Sequence, residues 1–461
     1  MKAMKRIVVL GAGESGAGAA VLAKKEGFDV FVSDMSKIND KYKKVLDDHG
    51  IQWEEGHHTE ELILNADEII KSPGIPEKAP MIQKLMAQGT HIISEIEFAG
   101  RYTHSKMICI TGSNGKTTTT SLIYHIFKAA GYDAGLAGNI GRSLALQVAE
   151  DPHEYYIIEL SSFQLDNMYD FRANIAILLN ITPDHLDRYD HKMELYARAK
   201  MRITQNQEPT DYFISWIEDD WTQRLLKEPG MGAGRRIFFS TEASSDDAVV
   251  ASSHNGQLRF ALQEPVVEMP ESALALSGKH NVQNALAVGC AAQALGVKPE
   301  IIRASLETFT NVPHRLEYIA SIDGVDYIND SKATNINSTW YALESMRKPT
   351  ILILGGTDKG NDYNDLMDLV KEKVVGLIYL TTDSAKLHRS FDSVIPRHEE
   401  VTSMRDAIVA ARQMAKAGDT VLLSPACASF DLFTCYEDRG DQFRAEVLAI
   451  AQQQRDTDRS L

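Results

Sequence analysis

The chain has 461 residues, 44% hydrophobic and 24% charged, with 48 basic against 64 acidic side chains and a net charge of −16. At roughly 150 residues per domain, this length suggests three domains of ordinary globular composition. The acidic balance argues against a nucleic-acid binder, whose footprint is basic, so anionic ligands need local devices such as helix N-termini and placed Lys or Arg. Four scattered cysteines, Cys109, Cys290, Cys427 and Cys435, form no C-x-x-C pair. Neither a zinc site nor a disulfide framework is indicated. The first apolar run, residues 7–10, is too short for a signal peptide, and no run is long enough to span a membrane. A cytoplasmic protein, monomeric and with no nucleic-acid partner, is expected.

The run 7–10 leads into Gly11-Ala12-Gly13-Glu14-Ser15-Gly16 and then an alanine-rich helical pattern. This is G-x-G-x-x-G between a strand and a helix, which lets a pyrophosphate approach the helix N-terminus. Asp34 ends the next strand-like run, 30–33, near the spacing at which an acid meets a ribose. Alone, the motif fits a nicotinamide or flavin enzyme. A UDP moiety, with its own pyrophosphate and ribose, fits the same loop, and the glycines could serve packing only. A further strand, 68–71, precedes Ser72-Pro73-Gly74-Ile75, a second loop at the same sheet edge. This α/β unit ends near Ile93 and Ser94.

The run 107–110 opens into Thr111-Gly112-Ser113-Asn114-Gly115-Lys116-Thr117-Thr118-Thr119, followed by an apolar helical stretch at 122–127. Backbone N–H groups of such a loop cradle phosphates, Lys116 adds a point charge, and the Thr117 hydroxyl can ligate Mg²⁺. Only two residues separate the glycines, where the standard loop has four, so this is a variant nucleoside-triphosphate loop. Glu159 lies at the end of the strand 156–160, where a Mg²⁺ ligand is expected beside a phosphate loop. The strand 175–179 is followed by Asn180-Ile181-Thr182-Pro183-Asp184-His185-Leu186-Asp187. Lys200 shares a helical stripe with Met193, Tyr196 and Ile203. A lysine on an apolar face can simply snorkel. Partial burial also lowers its pKa, and a neutral amine can take up CO₂ and become a carbamate, a metal ligand. His185 would then complete a second Mg²⁺ site.

Residues 229–270 are rich in Gly, Ser and Asp with short strand pieces, and are read as peripheral to the chemistry. A second break falls at Asn311-Val312-Pro313. Strand-like runs at 350–354, 376–380 and 420–423 follow, and the polar tail 452–461 is expected to fray. Strands alternating with helical patterns give an α/β fold with mostly parallel sheets. The expected domains are 1–94, Rossmann-like and UDP-substrate-binding; 95–311, an ATP-binding P-loop-type domain; and 312–461, Rossmann-like and amino-acid-binding.

The run Thr111–Thr117, reading Thr-Gly-x-Asn-Gly-Lys-Thr, and Tyr196-Ala197-Arg198-Ala199-Lys200 resemble motifs of the Mur ligase family. That family shares its three-domain plan with the folylpolyglutamate synthetases. Glu159-Leu160-Ser161-Ser162-Phe163-Gln164-Leu165, Tyr327-Ile328-Asn329-Asp330-Ser331-Lys332-Ala333-Thr334-Asn335 and Ser424-Pro425-Ala426-Cys427-Ala428-Ser429-Phe430-Asp431 are similar to motifs of its D-glutamate-adding member. The Asp-Asn-Pro-Arg signature of the diaminopimelate-adding relative is absent from the sequence.

The resemblance implies an ATP-dependent ligase that adds D-glutamate to UDP-N-acetylmuramoyl-L-alanine through an acyl phosphate, in cell-wall peptidoglycan synthesis. Its cofactors would be two Mg²⁺ ions and a CO₂-derived carbamate on Lys200. Gly13, Glu14, Ser15, Gly16, Asp34 and Gly74 would hold the UDP substrate, with Asn139 and His185 near its reacting end. Gly112, Ser113, Asn114, Gly115, Lys116, Thr117, Thr118, Asn281, Asn284, Arg315 and Asp330 would hold ATP. Thr117 and Glu159 would bind one Mg²⁺, and His185 with carbamylated Lys200 the other. Lys116, Asn139, Glu159, His185 and Lys200 form the implied catalytic set. Lys332, Thr334, Lys359, Ser429, Phe430 and Tyr436 would surround D-glutamate. The resemblance also implies a carboxyl-terminal domain that closes when ATP binds. A folylpolyglutamate synthetase, an oxidoreductase with an extra nucleotide domain, and a binding protein are the rival readings.

Overall fold

The apolar runs become inner strands of three sheets, as expected of strands covered on both faces. The computed structural model describes residues 4–242, 248–276, 278–309, 313–358 and 360–459, with the backbone alone at 187, 337, 453 and 455–459. The chain divides into two compact units: Met1–Ala275 with Val282–Phe309, and Leu276–Asn281 with Thr310–Leu461. The expected break at 311 lies outside the described residues.

The first unit holds two sheets. One contains β1 (Arg6–Leu10), β2 (Asp29–Asp34), β3 (Gln52–Glu55), β4 (Glu68–Lys71) and β5 (His91–Ile93). All five are parallel, in the order β3-β2-β1-β4-β5. Side chains alternate along β1: Ile7 and Val9 enter one core cluster, Val8 and Leu10 the other. Strand order reverses at β1, so the loop after it opens at a switch point, where ligands of such sheets bind.

The other sheet contains β6 (Lys106–Thr111), β7 (Ala134–Gly138), β8 (Tyr155–Glu159), β9 (Ile175–Leu178), β10 (Tyr212–Trp216), β11 (Arg235–Ser240), β12 (Val249–His254), β13 (Gln257–Phe260) and β14 (Val267–Pro270). Its order is β14-β13-β12-β11-β10-β9-β6-β8-β7. The strands from β7 across to β12 run parallel, while β13 and β14 form an antiparallel edge. Here β6 is flanked by β8 and β9, so its loop also opens at a switch point. The segment 229–270 supplies four of these strands, extending the nucleotide sheet.

The second unit holds β15 (Glu317–Ile322), β16 (Val325–Asn329), β17 (Thr350–Leu354), β18 (Val374–Leu380), β19 (His398–Val401) and β20 (Thr420–Leu423). The order is β15-β16-β20-β17-β18-β19, parallel except for the β15–β16 hairpin. Ile351 and Ile353 pack on one side and Leu352 and Leu354 on the other. The tail differs from expectation: helix Tyr436–Arg459 takes in most of it. Its Glu, Gln, Ala and Arg residues are good helix formers.

Within the first unit, buried carboxylates of helix Glu95–Gly100 fasten it to the start of helix Leu144–Glu150 and to the segment 169–171. Glu95, 3% exposed, accepts hydrogen bonds from the Ser143 hydroxyl (2.7 Å) and the Ala145 N–H (2.7 Å), while its Oε2 has no partner among the described residues. Glu97 accepts from the N–H groups of Tyr169 and Phe171, each at 3.0 Å. Burial pushes the Glu95 carboxyl up from 4.5 to about 7, against the opposing pull of the Ala145 and Ser143 bonds. A carboxyl that holds its proton more tightly when folded lowers stability as pH rises between the unfolded and folded values. The apparent melting temperature should therefore fall from about pH 4.5 to about pH 7 and then level off, with a ceiling of about 3 kcal/mol for this group. Glu95→Gln, which mimics the protonated form, should remove that part of the slope in melting curves recorded from pH 5 to pH 8. An unchanged slope would assign it to other groups.

Candidate active site

The loop after β6 is built from its own backbone and that of the segment following β9. The Ser113 N–H donates to the Asn180 carbonyl (2.9 Å), and the Asn114 N–H to Asn180 Oδ1 (2.9 Å). The Ser113 hydroxyl donates to the Thr182 carbonyl (2.8 Å) and meets the Tyr196 hydroxyl at 3.1 Å. Gly115, with φ +84°, precedes helix Lys116–Ala129, and a Cβ there would lie 2.3 Å from Asn284 Oδ1. Glycine is thus required by both backbone and space. Helix Lys116–Ala129 is long enough to present its N-terminal N–H groups and positive dipole end to an anion. Thr117 and Thr118 lie buried in its first turn. Lys116 Nζ donates back to the carbonyls of Gly112 (2.8 Å) and Ser113 (2.9 Å).

Lys200 is 1% exposed on helix Met193–Met201. Its Nζ donates to the same Gly112 carbonyl, at 2.7 Å, and lies 4.6 Å from the centre of the Tyr196 ring. Burial, reinforced by the Lys116 charge, holds its pKa well below the ordinary lysine value; Asp184, Asp166 and Glu159 pull the other way. The snorkelling alternative therefore fails, because the amine is inside. Glu159 ends β8, 1% exposed, and its Oε1 accepts from Asn139 Nδ2 at 2.9 Å. Its Oε2 is buried with no partner among the described residues. An orphaned carboxylate oxygen beside a phosphate loop is a fitting donor for a cation. His185, at φ +50°, places Nε2 3.7 Å from Asp184 Oδ2 and its ring edge-on to Phe163. The carboxylate and the hydroxyl are oxygen donors of the kind Mg²⁺ takes, and a lysine amine held toward its neutral form is the one that takes up CO₂ to become a carbamate.

At the first sheet, Gly13 caps helix Glu14–Lys25, and Ser15 lies in its first turn. A Cβ on Gly16 would come within 1.9 Å of the Gly11 carbonyl oxygen, so close helix–strand packing needs glycine there. Asp34 braces the loop: its carboxylate accepts from the N–H groups of Ala12 (2.7 Å) and Ser36 (2.8 Å). Glu14 is engaged by the Tyr42 hydroxyl (3.2 Å) and the Ser143 N–H (3.3 Å). Gly74 follows β4, and Arg188 donates to the carbonyls of Pro73 and Gly74, each at 3.4 Å. A cavity of about 640 Å³, within the roughly 300–1,000 Å³ of small-molecule sites, is lined by Lys71, Lys78, Phe163, Asp166, Arg188 and Arg202.

In the second unit, Asp330 follows β16 and accepts from the Ser424 hydroxyl (2.9 Å) and the Leu316 N–H (3.1 Å). Burial pushes its carboxyl up to about 7, opposed chiefly by Arg315. Lys332 Nζ donates to the Tyr436 hydroxyl at 3.3 Å and lies over that ring. The Thr334 N–H donates to the Lys332 carbonyl. Ser429 is buried and Phe430 is 72% exposed. Asn281 belongs to this unit and Asn284 to the first. Lys359 lies outside the described residues.

Sequence reading missed three supporting groups. Tyr196 shares the Lys200 stripe in sequence, but its ring-to-amine contact and its hydroxyl contact with Ser113 were not readable there, and nothing in the type of Asp184 showed that its charge acts on Lys200. Arg439, 1% exposed, donates to Ser331 Oγ (2.9 Å), the Ser331 carbonyl (2.8 Å) and the Cys427 carbonyl (3.3 Å). It ties together the loops that carry Lys332 and Ser429. It stands in a polar helical pattern with no local signal of burial.

Three family models match the chain: Mur ligase MurD-like, N-terminal domain, over residues 5–94; Mur ligase middle domain, over 110–292; and Mur ligase, glutamate ligase domain, over 314–427. The UDP-N-acetylmuramoylalanine–D-glutamate ligase of Bacteroides thetaiotaomicron is 62% identical over 446 residues, covering 96% of this chain and 99% of that protein. The ligase of the same name from Christiangramia forsetii is 50% identical, with 96% and 99% covered. Among solved structures, the UDP-N-acetylmuramate-alanine ligase MurC of Thermotoga maritima superposes with a TM-score of 0.62 at 18% identity, covering 97% of this chain and 99% of that one. The MurF ligase of Thermotoga maritima, solved with ADP, gives 0.58 at 15% identity, covering 92% and 95%. At those identities the structures attest the fold alone. With three domain models in series and relatives at up to 62% identity along nearly its whole length, the chain belongs to the Mur ligase family.

Proposed function

We propose that this chain joins D-glutamate to UDP-N-acetylmuramoyl-L-alanine with cleavage of ATP to ADP and phosphate, a step of peptidoglycan synthesis. The observation that carries the chemistry is the convergence of Lys116 and the buried Lys200 on the Gly112 carbonyl, within the electrostatic reach of Glu159. The choice of D-glutamate is supported by the near full-length relatives of that name. Those relatives are ligases, so the oxidoreductase reading of the first glycine loop is set aside in favour of UDP.

The L-alanyl carboxylate attacks the γ-phosphorus of ATP, and ADP leaves. The D-glutamate amine attacks the carbonyl carbon of the acyl phosphate, phosphate leaves, and the nitrogen loses a proton. Lys116 and the N–H groups that open helix Lys116–Ala129 hold the phosphates and offset their charge, which is most of what phosphoryl transfer requires. Mg²⁺ supplies charge neutralisation between two anionic reactants. Thr117 with Glu159 would hold one ion, and His185 with a carbamate on Lys200 the other. Asn139, fixed by Glu159, is assigned to the reacting end of the nucleotide sugar. Gly13, Glu14, Ser15, Gly16, Asp34 and Gly74 are assigned to its UDP part. Asn281, Asn284, Arg315 and Asp330 are assigned to ATP. Lys332, Thr334, Lys359, Ser429, Phe430 and Tyr436 are assigned to D-glutamate.

Phosphate release from Mg-ATP and UDP-N-acetylmuramoyl-L-alanine should be strong with D-glutamate and negligible with L-glutamate. Lys116→Ala should lower the rate by about 100-fold or more, the scale for removing one preorganised charge contact. Release with a different amino acid would keep the ligase but change its acceptor, and no release with any amino acid would sink the reading.

Because the Lys200 pKa is held low, its amine is neutral over a wider pH range than an ordinary lysine. With ¹³C-bicarbonate, a carbamate carbon resonance should grow as pH rises through the depressed pKa and vanish in acid. It should be missing from Lys200→Ala. A resonance retained in that variant would place the carbamate elsewhere.

A further inference from the structure

A second constellation of metal-binding side chains lies in the second unit. His388 is on helix Ala385–Phe391, and Asp392, four residues on, caps its C-terminus. His398 opens β19, the strand at the edge of the six-stranded sheet. One ligand atom from each of the three lies within 4.8 Å of the others. His388 Nδ1 is 2.9 Å from Asp392 Oδ2, and His398 Nδ1 is 3.5 Å from Asp392 Oδ1. Ligand atoms about 2.0–2.1 Å from a tetrahedral ion stand about 3.3 Å apart, so three groups within 4.8 Å of one another, with the two histidines on different oxygens of Asp392, close onto one ion by a modest side-chain adjustment.

The surroundings are those of a metal site. A histidine ligand commonly gives its other ring nitrogen to a carboxylate, and ligating carboxylates are themselves hydrogen-bonded. Here His388 Nε2 lies 3.2 Å from Glu400 Oε2, and the buried Tyr379 hydroxyl donates to Asp392 Oδ1 at 3.0 Å. The Tyr379 ring stacks on His398 at 5.6 Å and meets His388 edge-on at 4.9 Å, which fixes both imidazoles. All three candidate ligands are partly exposed, so an ion can enter from solvent.

We propose that His388, Asp392 and His398 bind one divalent ion of the zinc class, with a fourth position open to water. Two imidazoles and one carboxylate suit Zn²⁺ and its neighbours, whereas Mg²⁺ prefers oxygen ligands and keeps its waters. The ion would tie the four-residue edge strand β19, which pairs with β18, to the helix before it. Without an ion the same contacts serve a protonated His388 between Asp392 and Glu400, with His398 Nδ1 at 3.4 Å from the Ile395 carbonyl, and only the metal reading makes a Co²⁺ signal depend on His398.

The test is a Co²⁺ titration of the full chain in excess Mg²⁺, followed by the visible absorbance of tetrahedral Co²⁺ and its displacement by Zn²⁺. One equivalent should bind in this form. His398→Ala should weaken it by at least about tenfold, and Glu400→Ala, at an exposed position outside the ligand set, by about tenfold. Zn²⁺ should raise the melting temperature of the full chain but not of His398→Ala. No tetrahedral Co²⁺ signal from the full chain would overturn the proposal. So would an unchanged signal in folded His398→Ala, which would place the ion elsewhere.

Discussion

One carbonyl oxygen, that of Gly112, receives two lysine side chains, Lys116 at 2.8 Å and Lys200 at 2.7 Å. Two ammonium groups on one acceptor repel, and burial adds to the cost of charging the inner one. The pair therefore divides into unlike partners: a partly exposed cation suited to phosphate, and a buried amine driven toward its neutral form. The rest of the centre serves that division. The Asn180–Thr182 segment fixes the loop so that the carbonyl points inward, the Tyr196 ring covers Lys200, and Glu159, Asp166 and Asp184 keep negative charge in range. A lysine carbamate would resolve the repulsion by replacing a cation with an anion next to donors for a metal.

The distribution of buried charge separates scaffold from chemistry. Glu97 and Arg439 are almost wholly buried, and each is satisfied by backbone groups or a hydroxyl; they lock segments in place. Glu159 keeps one oxygen without a partner among the described residues, and the buried Lys200 amine is held well below the ordinary lysine pKa. Buried polar groups left incomplete are costly, and natural proteins tolerate them mainly where a ligand completes them. Glu95 is intermediate: it has an orphan oxygen like Glu159, but its raised pKa lets a proton satisfy it. An acidic chain thus handles anionic ligands by placing a few cations and helix ends, with no overall positive field.

Much of the fold was legible because β1, β17 and β20 are covered on both faces and read as near-continuous Val, Ile and Leu runs. Edge strands were not. β3 (Gln-Trp-Glu-Glu) and β19 (His-Glu-Glu-Val) carry polar side chains because one edge meets solvent, and β7 is alanine and glycine beside a neighbouring chain segment. The site was legible where a contiguous motif encodes it, at Gly11–Gly16, Gly112–Thr118 and Lys200, since backbone conformation there depends on neighbours in sequence.

By itself the sequence determined the order of α/β units, the two glycine loops, the variant spacing of the phosphate loop, and a lysine on an apolar helical face. Glycine spacing and strand hydrophobicity are local constraints that one stretch of chain satisfies alone. Only the tertiary structure decided that Lys116 and Lys200, 84 positions apart in number, meet at one carbonyl, that Asn139 rather than solvent holds Glu159, and that Arg439 is interior. It also brought His388 and Asp392 to His398 across a helix and an edge strand. Those contacts come from sheet order and helix packing, which place remote residues together by burying apolar surface that no single segment can bury.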